Sequence, residues 1–117
     1  MNISWSWRLA GLGIDVTIGT ADSAQYVART NAFDFDMTPF RRALSLSPGN
    51  EQFEYFGSEA ADREASRNYA GIKDAAVDAL IKQVVFAKDR NELVAASKAL
   101  DRVMMANQFV IPSYTSR

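Results

Sequence analysis

The 117-residue sequence contains no cysteine and no histidine. That excludes thiolate nucleophiles, disulfides and imidazole bases, and it removes the usual ligands of zinc. It leaves the compartment open, because chains from oxidising compartments do not all carry disulfides. Neither charge is in excess: 13 Lys and Arg stand against 14 Asp and Glu, for a formal charge of −1. Nucleic-acid binding needs a clustered positive field, so it is not favoured. The acidic residues are scattered and form no acidic tail. No apolar run approaches the roughly 18–20 residues of a membrane helix. The start, Met1 to Leu9, has no basic region ahead of an apolar run and does not read as a secretory signal. The expectation is a soluble chain without an export tag of its own. No internal repeat or low-complexity tract is visible.

What is present suits a core: 48% of the residues are hydrophobic, and the length fits one domain. Residues 2–11 read as a short helix of poor spacing, because Trp5 and Trp7 fall on different faces; two indoles there read as a packing edge rather than a ligand platform. Ile14, Val16 and Ile18 alternate with Asp15, Thr17 and Gly19, the period of a strand. Asp22 with Gln25 three residues on is a capping-box pattern, and a helix over 23–30 follows with Ala24, Val27 and Ala28 inward. Phe33, Phe35 and Met37 alternate with Asp34 and Asp36 as a second strand. Strand, helix, strand predicts a βαβ unit with parallel strands and a right-handed crossover.

Residues 39–73 are punctuated by Pro39, Pro48, Gly49, Gly57 and Gly71 and read mainly as loop. A helical turn near 50–56, capped by Asn50, is the exception. Phe53, Tyr55, Phe56 and Tyr69 supply apolar area that pins the loop down. The last third is the clearest. Asp74 caps a helix to about residue 87 with Val77, Leu80, Ile81 and Val84 on one stripe. Asp89 and Glu92 open another, to about residue 107, with Leu93, Ala96, Leu100, Val103 and Met104 inward. Only Lys88 and Asp89 separate them, so they fold back as an antiparallel pair. Phe109, Val110 and Ile111, ahead of Pro112, read as a short buried strand.

Few residues point to chemistry. Asp34 and Asp36 share a strand face, where two carboxylates serve acid–base work or hold a cation; without a third ligand or a base nearby, the polar side of a half-covered strand is the preferred reading. Arg41 and Arg42 follow that strand. Ligands of open α/β sheets gather beyond strand carboxyl ends, and guanidinium groups there clamp carboxylates or phosphates. A solvated loop explains them equally well. The Ser45-to-Glu51 segment offers hydroxyls, a turn and exposed amides for a peptide or sugar backbone, but without histidine neither serine reads as an activated nucleophile. Gly11-Leu12-Gly13 precedes a strand rather than following one, so it is no phosphate fingerprint. The mixed charges from Asp62 to Arg67 read as solvated surface.

Five stretches taken in order carry a likeness: Leu12-Gly13-Ile14-Asp15-Val16-Thr17-Ile18, Phe33-Asp34-Phe35-Asp36-Met37, Ser45-Leu46-Ser47-Pro48-Gly49-Asn50-Glu51, Asn68-Tyr69-Ala70-Gly71-Ile72-Lys73-Asp74, and the helical region 75–107. From about residue 9 onward the chain resembles the carboxy-terminal lobe of the family 5 extracellular solute-binding proteins, most of all the branch associated with microcin and oligopeptide uptake. The resemblance implies a non-enzymatic receptor that is bilobal, several times this length, and closes around a peptide or small solute without any cofactor. It further implies a periplasmic location, an ABC permease of the inner membrane as partner, and no nucleic acid. Residues 1–117 would then be a single partial domain, one lobe's fragment of a periplasmic-binding-protein type II fold: α/β, a βαβ unit with a small mainly parallel sheet followed by an antiparallel helix pair. Carried over by position, the ligand-binding residues would be Arg41, Arg42, Ser45 and Ser47, with Asn50, Glu51 and Tyr69 beside them. Many dipeptide and oligopeptide receptors have a Trp-rich loop with an Asp that pins the ligand's amine. Residues 38–45 here have neither Trp nor Asp, so an anionic ligand group facing the arginines fits better. The expected function is the substrate-binding component of an ABC importer, here as a truncated lobe. The alternative is a small structural or interaction domain that docks on a partner chain.

Overall fold

Six helices, and no strand among the described residues, form the architecture: α1 (Ser4–Ala10), α2 (Ser23–Asn31), α3 (Glu51–Phe56), α4 (Ser58–Ala61), α5 (Ala75–Val85) and α6 (Arg90–Ala106). The computed structural model describes residues 4–42 and 47–112, with the side chains of Ser4, Trp5 and Trp7 outside that description. The chain divides into two units, Met1–Arg41 and Arg42–Arg117.

The expected α/β class, with its βαβ unit and parallel sheet, is therefore corrected to all-helical among the described residues. In the first unit, α1 ends in a Schellman turn. Gly13 takes φ +77°, its N–H donates to the Ala10 carbonyl and that of Ile14 to the Leu9 carbonyl. Residues 14–20 then run without regular structure. Alternation records a preference for extended backbone, but a strand exists only when a neighbour pairs its N–H and C=O groups. No described segment does so. The second expected strand fails for a local reason. Phe33 sits at φ +56° as the left-handed residue that closes α2, its N–H donating to Thr30 O and that of Asp34 to Arg29 O. The residue expected to open a strand instead ends a helix. Asp22 caps α2 as predicted, its carboxylate accepting the Gln25 N–H at 2.8 Å. The expected inward face of α2 is not buried: Ala24 and Ala28 are exposed and Val27 is 53% exposed. Tyr26 OH donates to Pro39 O at 2.9 Å and folds the segment after α2 back onto it.

The second unit carries the core. Val77, Ile81 and Val84 of α5 face Ala96, Leu100 and Met104 of α6, joined by Tyr55 and Phe56 of α3 and by Ile72. Leu80, Leu93 and Val103 are partly buried at its edge. The antiparallel helix pair is as expected. Both starts are fixed by side chains: Asp74 accepts from the N–H groups of Ala76 and Val77, and Asp89 from that of Glu92. Glu92 reaches back to the Lys88 N–H at 2.8 Å, one residue beyond the usual capping-box partner. Burying each large apolar side chain contributes roughly 1.5–3 kcal/mol, so this seam dominates the unit's stability. The expected strand at 109–111 is absent; Phe109 packs against the core edge, while Val110 and Ile111 are exposed.

Candidate functional site

Two features of the second unit stand out: an aromatic–arginine cluster and a buried asparagine knot. Tyr55 and Phe56 are adjacent in α3, with ring centroids 6.2 Å apart and planes tilted by 51°. The guanidinium carbon of Arg42 lies 5.0 Å from the Tyr55 centroid and 4.8 Å from that of Phe56. Ring quadrupoles attract a cation at this range, by about 0.5–1 kcal/mol where water has access. Contact with the rings strips part of the guanidinium's hydration, which lowers the Arg42 pKa; the Tyr55 oxygen opposes that shift. Arg67 Nη1 donates to the Tyr55 hydroxyl at 3.2 Å. That bond, and the nearby Tyr55, Tyr69 and Glu54 oxygens, raise the Arg67 pKa. Among the described residues the ion pairs are Arg29–Asp34, Arg63–Glu54 and Lys73–Asp62, so neither Arg42 nor Arg67 is paired with a carboxylate there. Two guanidinium groups braced on one tyrosine, neither ion-paired with a carboxylate among the described residues, form an arrangement suited to a carboxylate or phosphate.

Asn68 is fully buried, 0% exposed. Its Nδ2 donates to Gly57 O and Ile72 O, each at 3.0 Å, and its Oδ1 accepts the Ile72 N–H at 3.0 Å. Gly71, at φ +61°, turns the chain so that Ile72 can reach back. One amide thereby ties the 68–72 turn to the α3–α4 junction. The Asn68-to-Ile72 stretch holds the fold together; it does not present Asn68 to a ligand.

The expected site residues are distributed unevenly. Arg42 stands in the cluster. Tyr69 is half-buried, close enough to Arg67 to support its charge. Arg41 closes the first unit and is exposed. Ser47 and Asn50 are exposed, and Asn50 makes no side-chain cap bond to α3, contrary to expectation. The Glu51 Oε1 accepts the Gly49 N–H, ahead of the helix, at 3.0 Å and the Gln52 side-chain amide at 3.3 Å. Backbone hydrogen bonds, first that of its own amide, hold the Glu51 carboxyl below the ordinary glutamate range. Ser45 lies outside the described residues. Asp34 pairs with Arg29 Nε at 2.9 Å on the surface, and the strand whose polar side it was expected to form is not there.

Tyr55 and Arg67 were not expected here. Tyr55 read only as a residue that pins the loop, and Arg67 only as part of a mixed-charge run. Nothing in the local sequence separates Arg67 from Arg63, because its partner lies 12 residues away.

No family model matches the chain. Individual relatives do. The chain is 55% identical over 107 residues to the "Probable peptide-binding protein YejA" of Agrobacterium fabrum, covering 92% of this chain and 17% of that protein. It is 37% identical over 103 residues to the "Peptidoglycan-binding protein YepA" of the same organism, covering 88% of this chain and 17% of that protein. The chain thus spans about a sixth of the length of these relatives. Matched almost end to end with one segment of far longer binding proteins, it fits a fragment of a family 5 solute-binding protein.

Proposed function

We propose that this chain is part of the substrate-binding component of an ABC importer for peptides or related solutes, and that it works as one jaw of a two-lobed receptor. The observation that carries the reading is the 55% identity to a protein named for peptide binding, sustained over 92% of the chain. The Arg42–Tyr55–Arg67 cluster supports it, since guanidinium groups braced on a ring suit the carboxylates that peptides carry. In this reading the ligand residues are Arg41, Arg42, Ser45, Ser47, Asn50, Glu51 and Tyr69. The role is non-enzymatic, the place of action is the periplasm, and the partner is the permease. Ligand binding stabilises a closed form that the permease recognises.

Ligand pockets bury most of their ligand's surface, and one jaw offers only part of that enclosure. Calorimetry of this chain with short acidic peptides is therefore expected to show no micromolar binding. The full-length Agrobacterium relative is expected to bind them, and to weaken when the arginines matching Arg41 and Arg42 become alanine. Micromolar binding by this chain alone, or unchanged affinity in those variants, would overturn the assignment of the site.

A second reading is a small domain that docks on a partner chain. Leu12 at 76% exposure and Phe86 at 72% favour it. Genes for a permease and an ATPase beside this one speak for the receptor; a solitary gene speaks for docking.

A further inference from the structure

The second unit contains a cleft of about 270 Å³. Phe56, Leu100 and Met104 form its apolar walls, and Arg42, Ser97 and Asp101 supply its polar groups. Its volume falls just under the roughly 300–1,000 Å³ of sites for drug-sized ligands, so it admits one amino-acid side chain rather than a whole oligopeptide. Two observations show what chemistry it lacks. Arg42 stands on the Phe56 ring without a carboxylate partner among the described residues. Ser97 Oγ is buried and has no hydrogen-bond partner among them, a cost that an incoming acceptor would relieve. Asp101 on the same lining disfavours a ligand whose side chain is itself anionic.

We propose that this cleft seats the apolar terminal residue of a carboxylate ligand, with Arg42 meeting the carboxylate and Phe56, Leu100 and Met104 enclosing the side chain. The chemistry required is one carboxylate joined to one uncharged apolar group, as at the C-terminus of a peptide ending in leucine or methionine. Partial desolvation of Arg42 on the rings strengthens its pull on an anion, since less water must be displaced when the pair forms. The proposal rests on the reading of Arg42 as a ligand residue, but not on the importer role.

The probe is N-acetyl-leucine, which has a carboxylate and an isobutyl group and no amine. With about a dozen non-hydrogen atoms in an open site, it is expected to bind in the millimolar range. This agrees with the absence of micromolar binding expected above. Amide resonances of the 117-residue chain are followed by NMR during titration with N-acetyl-leucine and, separately, with N-acetyl-leucinamide. Shifts are expected at Ser97, Leu100 and Met104 with the acid. The leucinamide, and the acid added to Arg42→Gln, should bind about tenfold more weakly, as for loss of a charge-assisted hydrogen bond. Unmoved α6 amides, or equal shifts with acid and amide, overturn the proposal. If Arg42→Gln does not fold, the acid–amide comparison on the unaltered chain decides alone. Failure here leaves peptide binding by the full-length relative standing, because that is measured on a different protein.

Discussion

Replacing Asn68 by alanine tests whether the 68–72 turn is a structural knot. The substitution removes three hydrogen bonds at once and leaves Ile72 O and Ile72 N unpaired, while Gly57 O keeps the Ala60 N–H. Gly57 and Ile72 are both buried, so water does not readily replace the lost amide. At ~1–3 kcal/mol for each of these two buried polar groups, and allowing for local relaxation, the expected loss is ~2–4 kcal/mol. Small domains have only ~5–15 kcal/mol in total. The variant should therefore melt far earlier in urea, followed by far-UV circular dichroism. Asn68→Asp refines the test. It keeps an acceptor for the Ile72 N–H but turns a carboxylate oxygen toward two carbonyls, which raises the carboxyl pKa in the folded state. A folded pKa above the unfolded one means that the native state holds the proton more tightly. Stability should then rise as pH falls through the folded pKa and be complete below the unfolded value. A loss under about 1 kcal/mol for Asn68→Ala, smaller than one unpaired group costs, would show that Asn68 does not hold these segments together.

Two further outcomes follow from local geometry. A Cβ at Gly57 would lie 2.6 Å from the Phe53 carbonyl oxygen, although the φ of −72° is open to any residue; Gly57→Ala should cost ~1–3 kcal/mol through crowding alone, measured by thermal melting, and a neutral result would mean that the α3–α4 junction shifts freely. The Glu51 carboxyl, held below its ordinary value near ~4.3, stabilises the folded state above its unfolded pKa and loses that contribution as pH falls through the lower folded pKa. An NMR titration of the Glu51 side chain should therefore give a midpoint under the ordinary glutamate value, and a midpoint at or above it would refute the Gly49 and Gln52 contacts.

How much of this was legible in the sequence depends on how far apart the interacting residues lie. The helical hairpin was readable because Val77, Ile81 and Val84 repeat at helical spacing, and because Asp74 and Asp89 sit within three residues of the amides they cap. The helix over 51–56 was readable too, with Asn50 at its N-cap position, but the side-chain bond that makes Asn50 a favoured cap is not formed. Arg42 drew notice as a ligand candidate, but its stacking on rings 13 and 14 residues on was not legible. Asn68 carries no local mark of burial; only Gly71, three residues later, hints at the turn that closes on it. The strands failed differently. Phe33 fits an alternating pattern as well as any residue, but whether it opens a strand or closes a helix depends on a φ of +56° that no pattern displays. Alternation at Ile14 and Ile18 states that one face asks to be covered without stating by what. Both side chains remain exposed, so among the described residues the demand is present and the cover is not.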